Sequence, residues 1–197
     1  MAKSAKYRIT ETLVRLFGGI QFSRYPLWVM FGNTKYKVRG REQRRILGLL
    51  EPGDVLLRRY DGYVNNLFIP GFWSHGALAV SGEEIVHATT HNVVREDVLT
   101  FFRTDHIALL RARGCTEDQR ETAVERALNL EGSEYDFEFD SGKNDYVYCF
   151  ELCWEAWAAV LGPQPPGRAV VADDLAHNPA LEVLHDSREW RRANGHV

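Results

Sequence analysis

The sequence has few cysteines and no recognisable secretion signal. It contains only 3 cysteines among 197 residues, an odd number that cannot all pair in disulfides. Its N-terminus is basic but has no apolar segment ending in small residues, the pattern that directs secretion. Because disulfides persist mainly in oxidising compartments, we expect free thiols and a cytoplasmic protein.

Long apolar runs and cofactor motifs are also missing. No stretch approaches the roughly 18 apolar residues of a membrane-spanning helix, and the aromatic-aliphatic run 25–31 is far shorter. We find no phosphate-binding glycine loop, no zinc-ligand spacing and no basic-aromatic pattern for nucleic acid. The sequence therefore predicts no metal, no cofactor and no nucleic-acid partner, and it leaves the oligomeric state open.

Charge is divided unevenly along the chain. The net charge is −3, but residues 1–45 carry eleven Lys or Arg against two acids, and the remaining 152 residues carry thirteen against twenty-five. Apolar residues at helical spacing over 8–20 fit an interfacial helix and equally a flap packed on the domain. We expect a basic helical extension over 1–47 that contacts an anionic membrane peripherally or docks on the acidic remainder, and a single domain over 48–197.

The rest of the sequence predicts an α+β domain. Strands are predicted at 55–59, 74–80, 85–89, 106–112 and 181–185. A Thr-x-x-Gln capping box at Thr116 opens one helix, and a second is expected from Cys149 to Leu161. Helices that flank a mostly antiparallel sheet are typical of the α+β class.

Cys149 is the strongest candidate for a catalytic residue. It stands where the polar loop 140–145 runs into the second predicted helix. Backbone N–H groups and the helix dipole at such a start favour an anion, so we expect the pKa of this thiol to be lowered. Cys153, one turn later and facing the core, and Cys115, before the capping box, lack this setting.

Two histidines on a predicted hairpin supply the base that a cysteine nucleophile needs. His75 opens the first strand and His87 lies on the return strand. A two- or four-residue turn puts them on opposite faces, whereas a three-residue turn or a bulge puts them on one face, a diagonal apart. With the odd turn, His75 is the general base and His87 orients it. Otherwise Glu84 or Thr89 takes the orienting role.

Aromatic residues near these positions are the candidates for substrate contact. The irregular loop 60–72 arrives just before His75 and is expected to wall a cleft. We expect Tyr60, Trp73 and Tyr148 to contact the substrate. The backbone N–H of Cys149 is one expected donor to an oxyanion, with a tyrosine phenol as the second.

Three short motifs occur in an order that is similar to the order in one known family. The motifs are Pro52-Gly53-Asp54, Ser74-His75-Gly76 and Tyr148-Cys149-Phe150-Glu151-Leu152. With the histidines before the cysteine, the order is the reverse of that in papain. Over roughly residues 48–178 the chain resembles the circularly permuted papain-like branch of the NlpC-type cysteine hydrolases, in particular the YiiX-like amidases.

The resemblance implies an antiparallel sheet flanked by helices, with Cys149 as nucleophile at a helix N-terminus and His75 as general base. The chain departs from the family at the third position, where YiiX-like proteins usually have Glu and this chain has His87. A second histidine there is similar to the lecithin:retinol acyltransferase-like proteins. We therefore expect a cysteine amidase or peptidase that acts through a thiolate and an acyl-enzyme. The alternatives are a lipid acyl hydrolase or acyltransferase at a membrane surface, and a non-catalytic binding protein on the same scaffold.

Overall fold

The computed structural model describes residues 5–17, 20–24, 27–31, 36–67, 69–139 and 146–195. The strands are β1 (Ile20–Arg24), β2 (Leu27–Phe31), β3 (Val55–Arg59), β4 (His75–Ala79), β5 (Glu84–Ala88), β6 (Val93–Asp97), β7 (His106–Ala112), β8 (Glu134–Tyr135), β9 (Tyr146–Val147) and β10 (Leu181–Asp186). The helices are α1 (Ala5–Phe17), α2 (Gly40–Leu47), α3 (Val98–Phe101), α4 (Glu117–Leu128), α5 (Cys149–Ala156), α6 (Ala158–Leu161), α7 (Ala172–Ala176) and α8 (Ser187–Ala193), and Val64–Leu67 forms a 3₁₀ turn. Within these ranges, no helix is both long and apolar enough to cross a bilayer.

Six strands form one antiparallel sheet in the order β10-β7-β3-β4-β5-β6. Each neighbouring pair runs antiparallel. The strands β3, β4, β5 and β6 therefore lie side by side in chain order, and helices pack on the sheet. The predicted α+β architecture is confirmed.

Helices cover both faces of this sheet. Because successive side chains of a strand point to opposite faces, Leu57 and Leu78 belong to a core shared with α4, α5 and α7, whereas Leu56 belongs to a second core. Ile46 of α2 and Phe101 of α3 close the second core, and both are 0% exposed. The domain thus has two hydrophobic layers with the sheet between them.

The β4–β5 hairpin has the odd turn that a two-histidine site requires. Leu78 pairs with Val86, a register that leaves 81–83 as a three-residue turn. In this register His75 and His87 lie on the same face of the sheet, one diagonal apart. The geometric condition that the sequence left open is therefore met.

α5 begins at Cys149, as predicted, but it ends at Ala156 and does not continue to Leu161. Trp157 separates α5 from α6, and its indole N–H donates to the carbonyl oxygen of Gly53 at 2.8 Å. Trp157 is only 2% exposed. Its anchoring to the turn before β3 fixes the chain at the point where the helix breaks.

The helix α1 is shorter than predicted, and a hairpin follows it. α1 ends at Phe17, whereas the sequence predicted a helix over 8–20. β1 and β2 then pair as an antiparallel hairpin in a segment for which no strand was predicted. The run Leu27–Phe31 is rich in β-branched and aromatic residues, which favour strands. The division into an extension over 1–47 and a domain over 48–197 stays a prediction.

A buried polar cluster attaches α2 to the end of the chain. The Glu42 carboxylate accepts a hydrogen bond of 2.6 Å from the Ser187 hydroxyl, and it lies 3.1 Å from His185 Nε2 and 3.4 Å from Arg191. Burial alone would raise the pKa of Glu42, but these partners together lower it below its ordinary value. The cluster therefore holds a charged carboxylate between α2 and the β10–α8 corner.

Candidate active site

Four polar side chains lie in a row across β3, β4, β5 and β6. Arg58 of β3 pairs with His75 of β4, so their side chains share a face. In the β4–β5 and β5–β6 registers, His87 is diagonal to His75, and Glu96 is diagonal to His87. All four side chains therefore point to the α3 side of the sheet.

The two histidines are hydrogen-bonded to each other. His75 Nε2 lies 2.8 Å from His87 Nδ1. Phe101 of α3 packs against both rings, with centroid distances of 5.9 and 5.8 Å. This packing fixes the orientation of the rings, and the mutual hydrogen bond leaves Nδ1 of His75 for a further partner.

The Cys149 sulfur lies beside the backbone of the residue that follows His75. The pairing of β4 with β5 covers two positions near the turn and does not reach Gly76. The N–H groups of Gly76 and Phe150 and the hydroxyl of Tyr135 donate to the sulfur. A Cβ on residue 76 would lie 3.1 Å from Phe150 Cδ1 and 3.5 Å from the Cys149 carbonyl oxygen. The absence of a side chain at this position lets the start of α5 approach β4 closely.

The protonation of the thiol differs from the expectation. Cys149 is 3% exposed. Burial raises the pKa of its thiol to about 11, although the hydrogen bonds to the sulfur act in the opposite direction. The predicted lowering of this pKa is therefore wrong for the resting site, because desolvation of a thiolate outweighs the helix start and the N–H donors.

Both imidazoles are neutral in the same setting. Burial, with a smaller contribution from the charges of Arg58 and His87, lowers the pKa of His75 well below its ordinary value. Burial and the charge of Arg58 lower the pKa of His87 to about 3. The resting protein thus holds a protonated thiol at the start of α5 and neutral imidazoles on β4 and β5. Attack by Cys149 therefore requires a base that removes its proton.

A cavity of about 700 Å³ opens next to the histidines. Its wall is formed by His75 and His87, by residues of the loop 60–72 and the segment 135–139, and by one side of α1. Tyr135 both lines the cavity and donates to the sulfur of Cys149. Tyr135 therefore separates the thiol from the cavity.

Of the three residues predicted to contact substrate, one lines the cavity and two are buried in the core. Tyr60 lines the cavity. Trp73 and Tyr148 are 2% and 1% exposed, and the Tyr148 hydroxyl accepts a hydrogen bond of 2.6 Å from the Val170 N–H. Both of these side chains are enclosed in the core, so the geometry does not support direct contact between either of them and the substrate. The assignment of all three stays a prediction.

The other candidate side chains are placed elsewhere. Glu84 is exposed at the turn end of β5, and the Thr89 hydroxyl donates to the carbonyl of Asn92 at 2.8 Å. Cys153 is buried in the core and Cys115 is partly buried, and both are free thiols, as is Cys149. Of the residues considered as partners of His75, His87 is the one in contact with it.

Three residues of this region were missed by sequence reasoning: Arg58, Tyr135 and Glu96. Arg58 and Glu96 share a face with the histidines only through the registers of three strand pairs. Tyr135 belongs to the two-residue strand β8, which pairs in parallel with β9 just before Cys149. Such short parallel pairing has no local pattern in the sequence.

Comparisons with known proteins agree with this architecture. Residues 49–189 match the family described as permuted papain-like amidase enzyme, YaeF/YiiX, C92 family. Among solved structures, the chain is similar to the metalloprotein yiiX from Escherichia coli O157:H7, with 16% identity and a TM-score of 0.58 over 70% of this chain and 97% of that chain. No curated protein matches the sequence. In the described part of the present chain, no group of three or more His, Cys, Asp and Glu side chains is arranged to hold a metal ion.

Proposed function

Because this chain belongs to the permuted papain-like amidase family, we propose that it is a cysteine hydrolase that cleaves amides through an acyl-enzyme on Cys149. The observation that carries the proposal is the 2.8 Å contact between His75 Nε2 and His87 Nδ1. This contact orients the imidazole of His75, the first residue of β4, one residue before the glycine that the start of α5 approaches closely. A neutral, oriented imidazole is the base that a buried thiol requires.

In the proposed reaction the Cys149 sulfur attacks the carbonyl carbon while the thiol proton passes to His75 Nδ1. The oxyanion that forms accepts hydrogen bonds from donors around the sulfur, among them the Phe150 N–H and the Tyr135 hydroxyl. Protonated His75 then gives its proton to the leaving amine as the C–N bond breaks, which leaves a thioester. A water molecule, deprotonated by the same imidazole, hydrolyses the thioester and restores the thiol.

A simple activated ester, 4-nitrophenyl acetate, tests this assignment. We expect release of 4-nitrophenol together with acetylation of Cys149, located by peptide mass spectrometry. His75→Ala should lose this acetylation, whereas Cys115→Ser, which removes a thiol outside the site, should keep the wild-type rate. An unmodified Cys149 in the wild-type protein would contradict the proposal, and equal rates with and without His75 would contradict the role of the base.

A lipid acyl ester is the second candidate substrate, and the exposed basic face of α2 favours it. The exposed arginines at and within this helix are Arg39, Arg41, Arg44 and Arg45. The acid of the same helix, Glu42, is buried and interacts with Arg191, so it does not neutralise this face. A basic face attracts an anionic membrane surface, and the apolar part of the cavity wall fits an acyl chain.

Vesicle binding separates the two candidates. We would compare co-sedimentation with phosphatidylglycerol and phosphatidylcholine vesicles for the full chain and for a variant with Gln at the four α2 arginines. A variant with Gln at Arg113 and Arg126, which are exposed elsewhere, is the control. Salt-sensitive binding lost only in the α2 variant favours the lipid ester. Turnover of peptide 4-nitroanilides without vesicle binding favours the amide, and vesicle binding without acylation favours a binding protein.

A further inference from the structure

Three buried polar atoms of the site make no hydrogen bond to any other described residue. They are Arg58 Nε, His87 Nε2 and Glu96 Oε2. Nearly all buried polar atoms in folded proteins have a partner, so three in one cluster need an explanation. All three belong to the polar row across β3 to β6, in which His75 is the fourth member.

The geometry of this cluster brings a carboxylate close to the outer nitrogen of His87. Glu96 Oε2 lies 3.7 Å from His87 Nε2 and 4.0 Å from Arg58 Nη1. A hydrogen bond between these groups is about 2.9 Å long, so a movement of about 1 Å by the carboxylate completes it. The Glu96 side chain is 30% exposed, which leaves room for that movement. Arg58 balances the negative charge from the other side.

We propose that Glu96 is a positioning residue of this site, which accepts the Nε2–H of His87 and thereby sets the tautomers of both histidines. This inference rests on the proposed function for its catalytic meaning, but the tautomers themselves are a property of the resting protein. Glu96 acts through His87 and does not touch the substrate.

The tautomers follow from the order of the contacts. A carboxylate is an acceptor only, so the His87 nitrogen that faces Glu96 carries the proton. A neutral imidazole has one N–H, so His87 Nδ1 is then an acceptor and takes a hydrogen bond from His75 Nε2–H. The remaining nitrogen of His75, Nδ1, is therefore unprotonated and can receive the thiol proton of Cys149.

Without the acceptor at Glu96, the opposite arrangement becomes available. His87 can carry its proton on Nδ1 and donate it to His75 Nε2. His75 is then protonated on Nδ1 and has no lone pair for the thiol. The Glu96 carboxylate acts on the sulfur only through His87 and His75. Its loss would in this way place the base, His75, in an inactive tautomer.

Nitrogen-15 NMR of histidine-labelled full-length protein tests the inference without any substrate. Two-bond hydrogen–nitrogen correlations identify which ring nitrogen is protonated. We expect both His75 and His87 to be neutral and protonated on Nε2 in the wild-type protein. A wild-type His87 protonated on Nδ1 would overturn the inference, and this result needs no variant that might fail to fold.

Variants of Glu96 then connect the tautomer to the rate. In Glu96→Leu we expect His87 to populate the Nδ1-protonated form and acetylation of Cys149 to slow by about 10- to 100-fold. Glu96→Gln keeps a carbonyl acceptor and should lose less, and Glu84→Gln, an exposed position of the same sheet, should behave as wild type. Unchanged tautomers and rates in Glu96→Leu would refute this inference but not the proposed function. A wild-type protein that is never acetylated refutes the proposed function, while its tautomers still decide the role of Glu96.

Discussion

Replacing Gly76 with alanine tests whether close packing of α5 on β4 positions the nucleophile. The added Cβ would lie 3.1 Å from Phe150 Cδ1 and 3.4 Å from Cys153 Sγ. Carbon atoms in good contact lie about 3.5–4.0 Å apart, so α5 must move away from β4 by about half an ångström. Overpacking of this kind costs about 1–3 kcal/mol of unfolding free energy.

The same movement should slow the acylation of Cys149. A displacement of about 1 Å at reacting atoms costs about 100-fold in rate, so half of it should cost about tenfold. Urea unfolding and 4-nitrophenyl acetate kinetics measure the two effects. Gly82→Ala is the matched control, because a Cβ at this turn position meets no atom within 4 Å. A Gly76→Ala protein with wild-type stability and acylation rate would refute the reasoning.

Three further predictions concern protonation. Alkylation of Cys149 by iodoacetamide should rise steadily from neutral to strongly alkaline pH, because burial raises the pKa of this thiol to about 11; a rate plateau at neutral pH would disprove the neutral site. Tyr135→Phe removes a hydrogen bond that lowers this pKa, so alkylation at mildly alkaline pH should be slower than in the wild-type protein, and an equal or faster rate would count against that contact. Glu42→Ala should cost about 3 kcal/mol of unfolding free energy at neutral pH. Since the folded-state pKa of Glu42 is lowered from 4.5, its stabilisation is present above that value and is lost as the pH falls through the lower folded-state pKa. Urea unfolding at a series of pH values should therefore show the difference from wild type shrinking in acid, and a constant difference would be inconsistent with this coupling.

Local patterns in the sequence were sufficient for the elements that carry the nucleophile and the base. The strands around His75 and His87 follow from alternation and turn residues, and the start of α5 at Cys149 follows from the preceding polar loop. The break after Ala156 has no local signal in the sequence, and Trp157, at which it falls, is held by a hydrogen bond to the distant Gly53 carbonyl.

The electrostatics of the site were harder to predict than its composition. The helix start at Cys149 favours a thiolate locally, but the pKa is decided by burial under side chains from several separate elements. The convergence of Arg58 and Glu96 on the histidines likewise depends on strand registers. A single sequence contains no direct record of these registers, since β3 and β4 are separated by the irregular loop 60–72.

The β4–β5 hairpin should tolerate insertions at its turn better than insertions within its strands. The turn 81–83 lies at the surface, and lengthening a surface loop generally changes stability little. A residue added there can be accommodated in a longer turn, with Leu78 still paired with Val86 and both histidines still on one face. A residue added between Val86 and His87 would instead move His87 to the opposite face of the sheet. The strands could still pair, and the protein would fold without its orienting histidine.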